Sequence, residues 1–149
     1  MRKIVVLGVL CVAASIGCET TGSGRGEGFG PATVEDQIVH EFGRFVDFTM
    51  NDDYEGIKGL VASSQVQGFD AKAFIQDRFR MKPGSFQIMV WDKKHIGVTP
   101  VRGKKTYLSS GAAHVRVSPT GKVAPVVVNI HWVKERGGWK ILPFPETSN

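Results

Sequence analysis

Two cysteines, four histidines and fourteen carboxylates are the side chains of this 149-residue sequence whose types can carry chemistry. Their spacing narrows what each can do. Cys11 lies inside an uncharged, mostly apolar stretch from Ile4 to Ile16, and Cys18 follows the small residues that end it. Neither stands at the spacing of a metal site or of a disulfide framework. His40 and Asp47 share one predicted helix but sit two turns apart, so nothing forces them into an acid–base pair. His114 and His131 have no second histidine at ligand spacing, so no metal is expected there. The alternate glycines of residues 19 to 32, ETTGSGRGEGFGPA, have no strand before them and no Lys-Ser or Lys-Thr after them. They therefore do not form a phosphate cradle. Asp47 and Asp92 are possible but unsupported positions for a catalytic aspartate, and no cofactor is implied.

The elements that must position these groups follow from hydrophobic period. Val34, Ile38, Phe42, Phe45, Val46 and Thr49 recur at three- and four-residue steps and predict an amphipathic helix, with Thr33 as N-cap and Asp36 completing a capping box. Asp36, His40, Arg44 and Asp47 fall on its solvated side. Asn51, Asp52 and Asp53 punctuate the chain before a second short helix that buries Tyr54, Ile57, Leu60 and Val61. Asp70 caps a third, from Ala71 to about Arg80, with Phe74, Ile75 and Phe79 inward. Lys82-Pro83-Gly84 ends it. Beyond Gly84 the period drops to two, predicting strands over 85–92, 95–101, 104–118, 122–135 and 139–144. Three helices followed by an antiparallel meander of four to five strands make an α+β domain.

The N-terminus reads as an address. Arg2 and Lys3, the thirteen uncharged residues Ile4 to Ile16, and Ser15-Ile16-Gly17 before Cys18 form a secretory signal pattern. With cysteine directly after the small residues, the leader resembles that of bacterial lipoproteins. In that family the leader is removed and the cysteine becomes the lipid-carrying first residue. Ser15 stands where the family usually has leucine, and a plain cut after Ser15 is the alternative. The resemblance implies a signal peptide over 1–17, and a lipidated Cys18 with a glycine-rich tether over 18–32. A single domain would then span 33–149. It also implies a membrane-anchored protein, with Glu19 after the cysteine pointing to the outer membrane and the periplasm. A glycine-rich tether of this length spans roughly 20 Å, enough to hold a domain clear of a membrane surface.

The element order and the closing hairpin HWVKERGGWKIL, residues 131 to 142, resemble the nuclear transport factor 2-like superfamily, which includes ketosteroid isomerase and SnoaL-type cyclases. The resemblance implies a curved sheet wrapped around the helices as a cone with a pocket. It implies no reaction, since the superfamily shares no catalytic motif. A turn at Arg136-Gly137 pairs Trp132 with Ile141 and Lys134 with Trp139. Val126, Val128, Ile130, Trp132, Trp139 and Ile141 then share one face, and Asn129, His131 and Lys140 the other. On the first strand, strict alternation sets Phe86, Ile88 and Val90 against Gln87, Met89 and Trp91. The more apolar set should face the helices. Tyr54, Phe86, Ile88, Trp132 and Trp139 are thus the expected pocket lining, and they include no general acid or base. Trp91, His114, Arg116, Asn129, His131 and Lys140 are the expected outer partner surface. A one-residue slip would exchange the faces and bring His131 and Asn129 inside.

Charge adds one clue. Residues 33–70 carry two bases and eight acids, and residues 71–149 carry fourteen bases and four acids. The densest basic run is Lys93, Lys94, Arg102, Lys104 and Lys105. Such a run suits anionic lipid headgroups or an acidic partner, or it is a lysine-guarded strand edge. An exported protein meets little nucleic acid, so none is expected as partner. The sequence therefore favours a non-enzymatic, lipid-anchored binding protein of the cell envelope. Its partners would be a second copy or an envelope protein on the outer face, or a small apolar ligand in the cone. An isomerase- or cyclase-type enzyme is the alternative.

Overall fold

Helices come first and strands after, at the places where the hydrophobic period changes. The structure is a computed structural model and describes residues 32–145. Helix α1 (Val34–Met50) starts at a complete capping box. The Thr33 hydroxyl accepts from the Asp36 amide at 3.1 Å and the Asp36 carboxylate accepts from the Thr33 amide at 3.0 Å. The Thr33 hydroxyl also donates to the Asp36 carboxylate at 2.8 Å, and this bond, then the one from the Thr33 amide, holds the Asp36 pKa below its ordinary value. Helix α2 (Tyr54–Gly59) is capped by Asp53, which accepts from the Gly56 amide at 2.8 Å. Helix α3 (Ala71–Phe79) is capped by Asp70 and ends where Arg80 turns left-handed at φ 58°.

The strands are β1 (Gln87–Trp91), β2 (Gly97–Pro100), β3 (Thr106–Arg116), β4 (Val123–Glu135) and β5 (Gly138–Ile141). They pair antiparallel in the order β1-β3-β4-β5, and β2 also lies along β3. The result is an α+β fold with three helices on one face of a curled antiparallel sheet. The hairpin register agrees with the sequence reading: Trp132 faces Ile141 and Lys134 faces Trp139. Pro100 lies in β2, which among the described residues pairs with β3 alone, so its missing N–H breaks no second ladder there.

The core forms where the stripe of α1 meets the inner sheet face. Ile38, Phe42, Phe45 and Val46 pack with Phe74, Ile75 and Phe79 of α3 and with Val115, Val128, Ile130, Trp132 and Ile141. Each such side chain contributes roughly 1.5–3 kcal/mol by leaving water. Gly111 makes the close approach of α1 feasible. A Cβ there would stand 2.9 Å from the Phe42 ring.

Strand β1 departs from strict alternation, and this corrects the expected place of Trp91. Ile88 pairs with Val115, but the next residue of β3, His114, pairs with Val90 rather than Met89. Met89 is the extra residue of a β-bulge, which opposes two residues to one and reverses the alternation beyond it. Val90, expected inside, is 57% exposed, and Trp91, expected on the outer face, is 9% exposed. The indole lies 5.8 Å from the Phe42 ring and covers Gly43, where a Cβ would approach it to 3.2 Å. Burying the largest apolar side chain of the strand in that glycine notch outweighs one lost ladder position.

Candidate functional site

The interior between helices and sheet is filled by its own side chains. Trp132 is fully buried, and its indole N–H donates to Ser109 Oγ at 2.7 Å. Thr49 donates to the Phe45 carbonyl at 2.8 Å. Among the described residues the buried polar side chains are these two, Thr49 and Ser109, and neither titrates. Trp132 is therefore a core residue, and Trp139, largely buried, borders a separate hollow of about 390 Å³ with Gln37, His40 and Lys134. The rings of Phe42, Phe45 and Phe79 occupy the space an open cone would need. Trp139 donates its indole N–H to Gln37 Oε1 at 3.2 Å and meets Tyr107 edge to face.

Phe86 and Ile88 border a small hollow of about 250 Å³, together with Thr49, Met50, Asp52 and Ile75. Tyr54 lies at the start of α2, where its hydroxyl donates to the Asp52 carboxylate at 2.8 Å. That bond and the adjacent negative charge push the Tyr54 pKa up.

Another hollow, about 620 Å³, opens beside His131. His131 pairs with Leu108 of β3, which places both on the sheet face away from the helices. Its backbone carbonyl accepts from the Leu142 amide at 2.8 Å, so Leu142 extends the edge of the sheet next to it. The turn between β2 and β3 forms one rim. The Lys104 amide donates to the Val101 carbonyl at 3.1 Å, and Gly103 supplies the positive φ, 75°, that such a turn requires at its third residue. The turn sets Lys104, Lys105 and Thr106 along the cleft. Ser64, Gln65 and Pro145 stand on the opposite side. A reciprocal clasp holds that side: Gln65 Nε2 donates to the Phe144 carbonyl at 3.0 Å, and the Phe144 amide donates to Gln65 Oε1 at 3.1 Å.

Among the described residues that line the cleft, the charged side chains are Lys104 and Lys105. Burial, then the positive charges of Arg78 and Lys104, push the His131 pKa below its ordinary value. Its imidazole is therefore neutral at neutral pH. Its Nδ1 is buried and has no hydrogen-bond partner among the described residues. Arg78 donates to the Pro143 carbonyl at 3.1 Å behind the cleft wall, and burial lowers its own pKa.

The rest of the expected partner surface is spread along the outer face. His114 pairs with Val90, and Arg116 with Gln87. Asn129 accepts from Ser110 Oγ at 2.6 Å. Lys140 turns its ammonium to the Gly59 carbonyl at 2.8 Å, at the end of α2. Val127 is 62% exposed beside this row. Of the basic run, Lys104 and Lys105 reach the cleft, whereas the Lys93 ammonium sits 5.2 Å over the Trp91 ring. The sequence reading missed Ser64, Gln65, Val101, Thr106, Leu142 and Pro145 as lining. The one local signal was the two lysines after the Gly103 turn.

No protein-family model and no curated protein matches the sequence. Among the described residues no group of three or more His, Cys, Asp or Glu is placed to hold a metal ion. Among them, too, no helix is long and apolar enough to cross a membrane. Cys18 and the glycine-rich segment lie outside the described residues.

Proposed function

We propose that this chain is an exported binding protein of the cell envelope, held to a membrane by lipid on Cys18 and recognising its ligand or partner on the outer sheet face. The observation that carries this reading is the filled interior. Side chains that would line a catalytic cone are packed against one another, and a hollow of about 620 Å³ lies on the opposite face at His131. The order of helices, meander and closing hairpin supports a nuclear transport factor 2-like fold whose cone is filled. Val90, His114 and Val127 offer mixed apolar and polar area to a second copy or an envelope protein. The leader pattern supports export, and Glu19 supports the outer membrane.

The test of the anchor is Cys18→Ala in the full chain. It should abolish lipid labelling and move the protein from the membrane fraction to the soluble one. Labelling that persists ends this reading of the leader.

A second reading, a small-molecule isomerase or cyclase, is favoured by Asp52, a carboxylate-bearing residue in the lining of the hollow at Phe86 and Ile88. That hollow, about 250 Å³, falls below the roughly 300–1,000 Å³ of ordinary ligand pockets. A crystal structure with a small ketone seated on Asp52 would support the enzyme over the binding protein.

A further inference from the structure

The edges of the sheet are treated unequally. On β5, the Ile141 amide donates to the Leu60 carbonyl at 2.8 Å and the Ala62 amide to the Ile141 carbonyl at 2.9 Å, so the chain covers that edge itself. On the opposite edge β1 carries the Met89 bulge, β2 is short and ends in Pro100, and Lys93 and Lys94 lie between them. Bulges, prolines, lysines and short strands are the usual guards of a strand edge.

Strand β4 has a third edge. It is thirteen residues long, but β5 pairs only with Trp132 to Glu135, and Leu142 adds one bond, to the His131 carbonyl. Alternate residues of a strand turn their backbone N–H and C=O to the same side. The register of β4 with β3 runs unbroken from Val133 to Val123. Asn129, Val127, Pro125 and Val123 therefore point to the side on which His131 meets Leu142. Among the described residues no strand lies there beyond Leu142, and no hydrogen bond reaches those backbone groups. Pro125 fits this position, because it has no N–H to give and belongs at an edge. Residues 123–130, VAPVVVNI, carry no charge, and Val123 and Val127 are 43% and 62% exposed. The open stretch is roughly 20 Å long and rich in β-branched residues, a template for another strand.

We propose that β4 pairs along this edge with β4 of a second copy, antiparallel about a two-fold axis, and joins two sheets into one. The same strand is the occupant the edge fits. An uncharged run sets no like charges opposite one another in its own copy, and a closed two-fold pair leaves neither of these edges open. Leu142 sets the register. It holds the place beside His131, so the overlap must stop at Asn129. Centring the pair on Val126 does this: Asn129 faces the second copy's Val123, and Val127 faces its Pro125. The Val127 amide then donates to the Pro125 carbonyl, so the proline withholds one donor and no more. The exposed Val123 and Val127 side chains come together on one side of the junction and the two Val126 side chains on the other. This contact uses the edge of the sheet and leaves its outer face free for the partner proposed above.

The experiment reads mass and amide exchange together, on the purified full chain carrying Cys18→Ala so that no lipid joins copies. Sedimentation should show a dimer that dissociates on dilution. With rising concentration the Val127 and Asn129 amides should exchange at least about tenfold more slowly, as protection by the contact requires. The Val128 and Ile130 amides, which point to β3, should be slow throughout. Val127→Pro deletes one edge donor and Val127→Lys sets a charge at the edge. Each should weaken the dimer by about tenfold or more, the scale of hydrogen bonds lost from both strands. Slow Val128 and Ile130 amides in either variant report an intact fold. A chain that stays a monomer at millimolar concentration overturns the proposal and leaves the edge to an extended segment of another protein. Assembly beyond a dimer overturns it too. So does a dimer whose Val127 and Asn129 amides stay fast, or one that both variants leave intact, since its contact then lies on another face.

Discussion

Trp132 and Ser109 are joined across the middle of the sheet by a hydrogen bond of 2.7 Å between two side chains that water does not reach. The bond lets the largest core residue keep its polar N–H in a filled interior. Ser109→Ala removes the acceptor and leaves the indole donor unpaired. An unsatisfied buried donor costs about 1–3 kcal/mol. Urea unfolding should show a lower midpoint with an unchanged slope. A midpoint within error of the parent would mean that the indole N–H has another partner.

The bulge at Met89 makes opposite predictions for two adjacent residues. Trp91→Ala empties the space against Phe42 and should destabilise the fold by about 3–5 kcal/mol. Val90→Ala removes an exposed side chain and should stay within about 0.5 kcal/mol. Thermal unfolding of the two variants decides between this register and strict alternation, which would reverse their order.

His131 should make stability depend on pH in one direction. Its folded pKa lies below the ordinary 6.5. The unfolded chain therefore takes up the proton first as pH falls. The stabilising contribution is complete above about pH 6.5 and is lost as pH falls through the lowered folded value. Asp36 and Asp92 also have lowered pKa values, but from an ordinary 3.8, so their effect lies at more acid pH. The thermal midpoint should fall between about pH 7 and 5, and His131→Gln should flatten that fall. An identical slope in the variant would sink the assignment.

Gln65 should matter to the cleft more than to the fold. Its two bonds to Phe144 hold the chain just before Pro145 but bury little area. Gln65→Ala should speed exchange of the Phe144 amide roughly tenfold, with little change in the urea midpoint, as local opening requires. A large loss of global stability would show that the clasp belongs to the core.

The legible parts of the fold were those set by neighbours in sequence. The stripe on α1, the caps at Thr33, Asp53 and Asp70, and the turn at Arg136-Gly137 each depend on residues within a few positions. Parity along β4 followed from the hairpin, and so His131 could be assigned to the outer face. Trp91 could not be placed this way. A bulge changes a count without leaving a compositional mark, and Met89 looks like an ordinary strand residue.

The cleft marks the same boundary more sharply. From the sequence alone come the helix-then-sheet order, the inner apolar face, the basic run at Lys104 and Lys105, and a leader pattern ending at Cys18. Only the tertiary structure decided that the interior is filled, that Trp91 turns inward, and that Gln65, Lys104, His131 and Pro145 meet around one hollow. Period and turn chemistry act over a few residues and can be read in order along the chain. Packing selects among long-range pairings by the shapes of all the side chains at once, and Phe42 against Gly111 and Trp91 shows that selection at work.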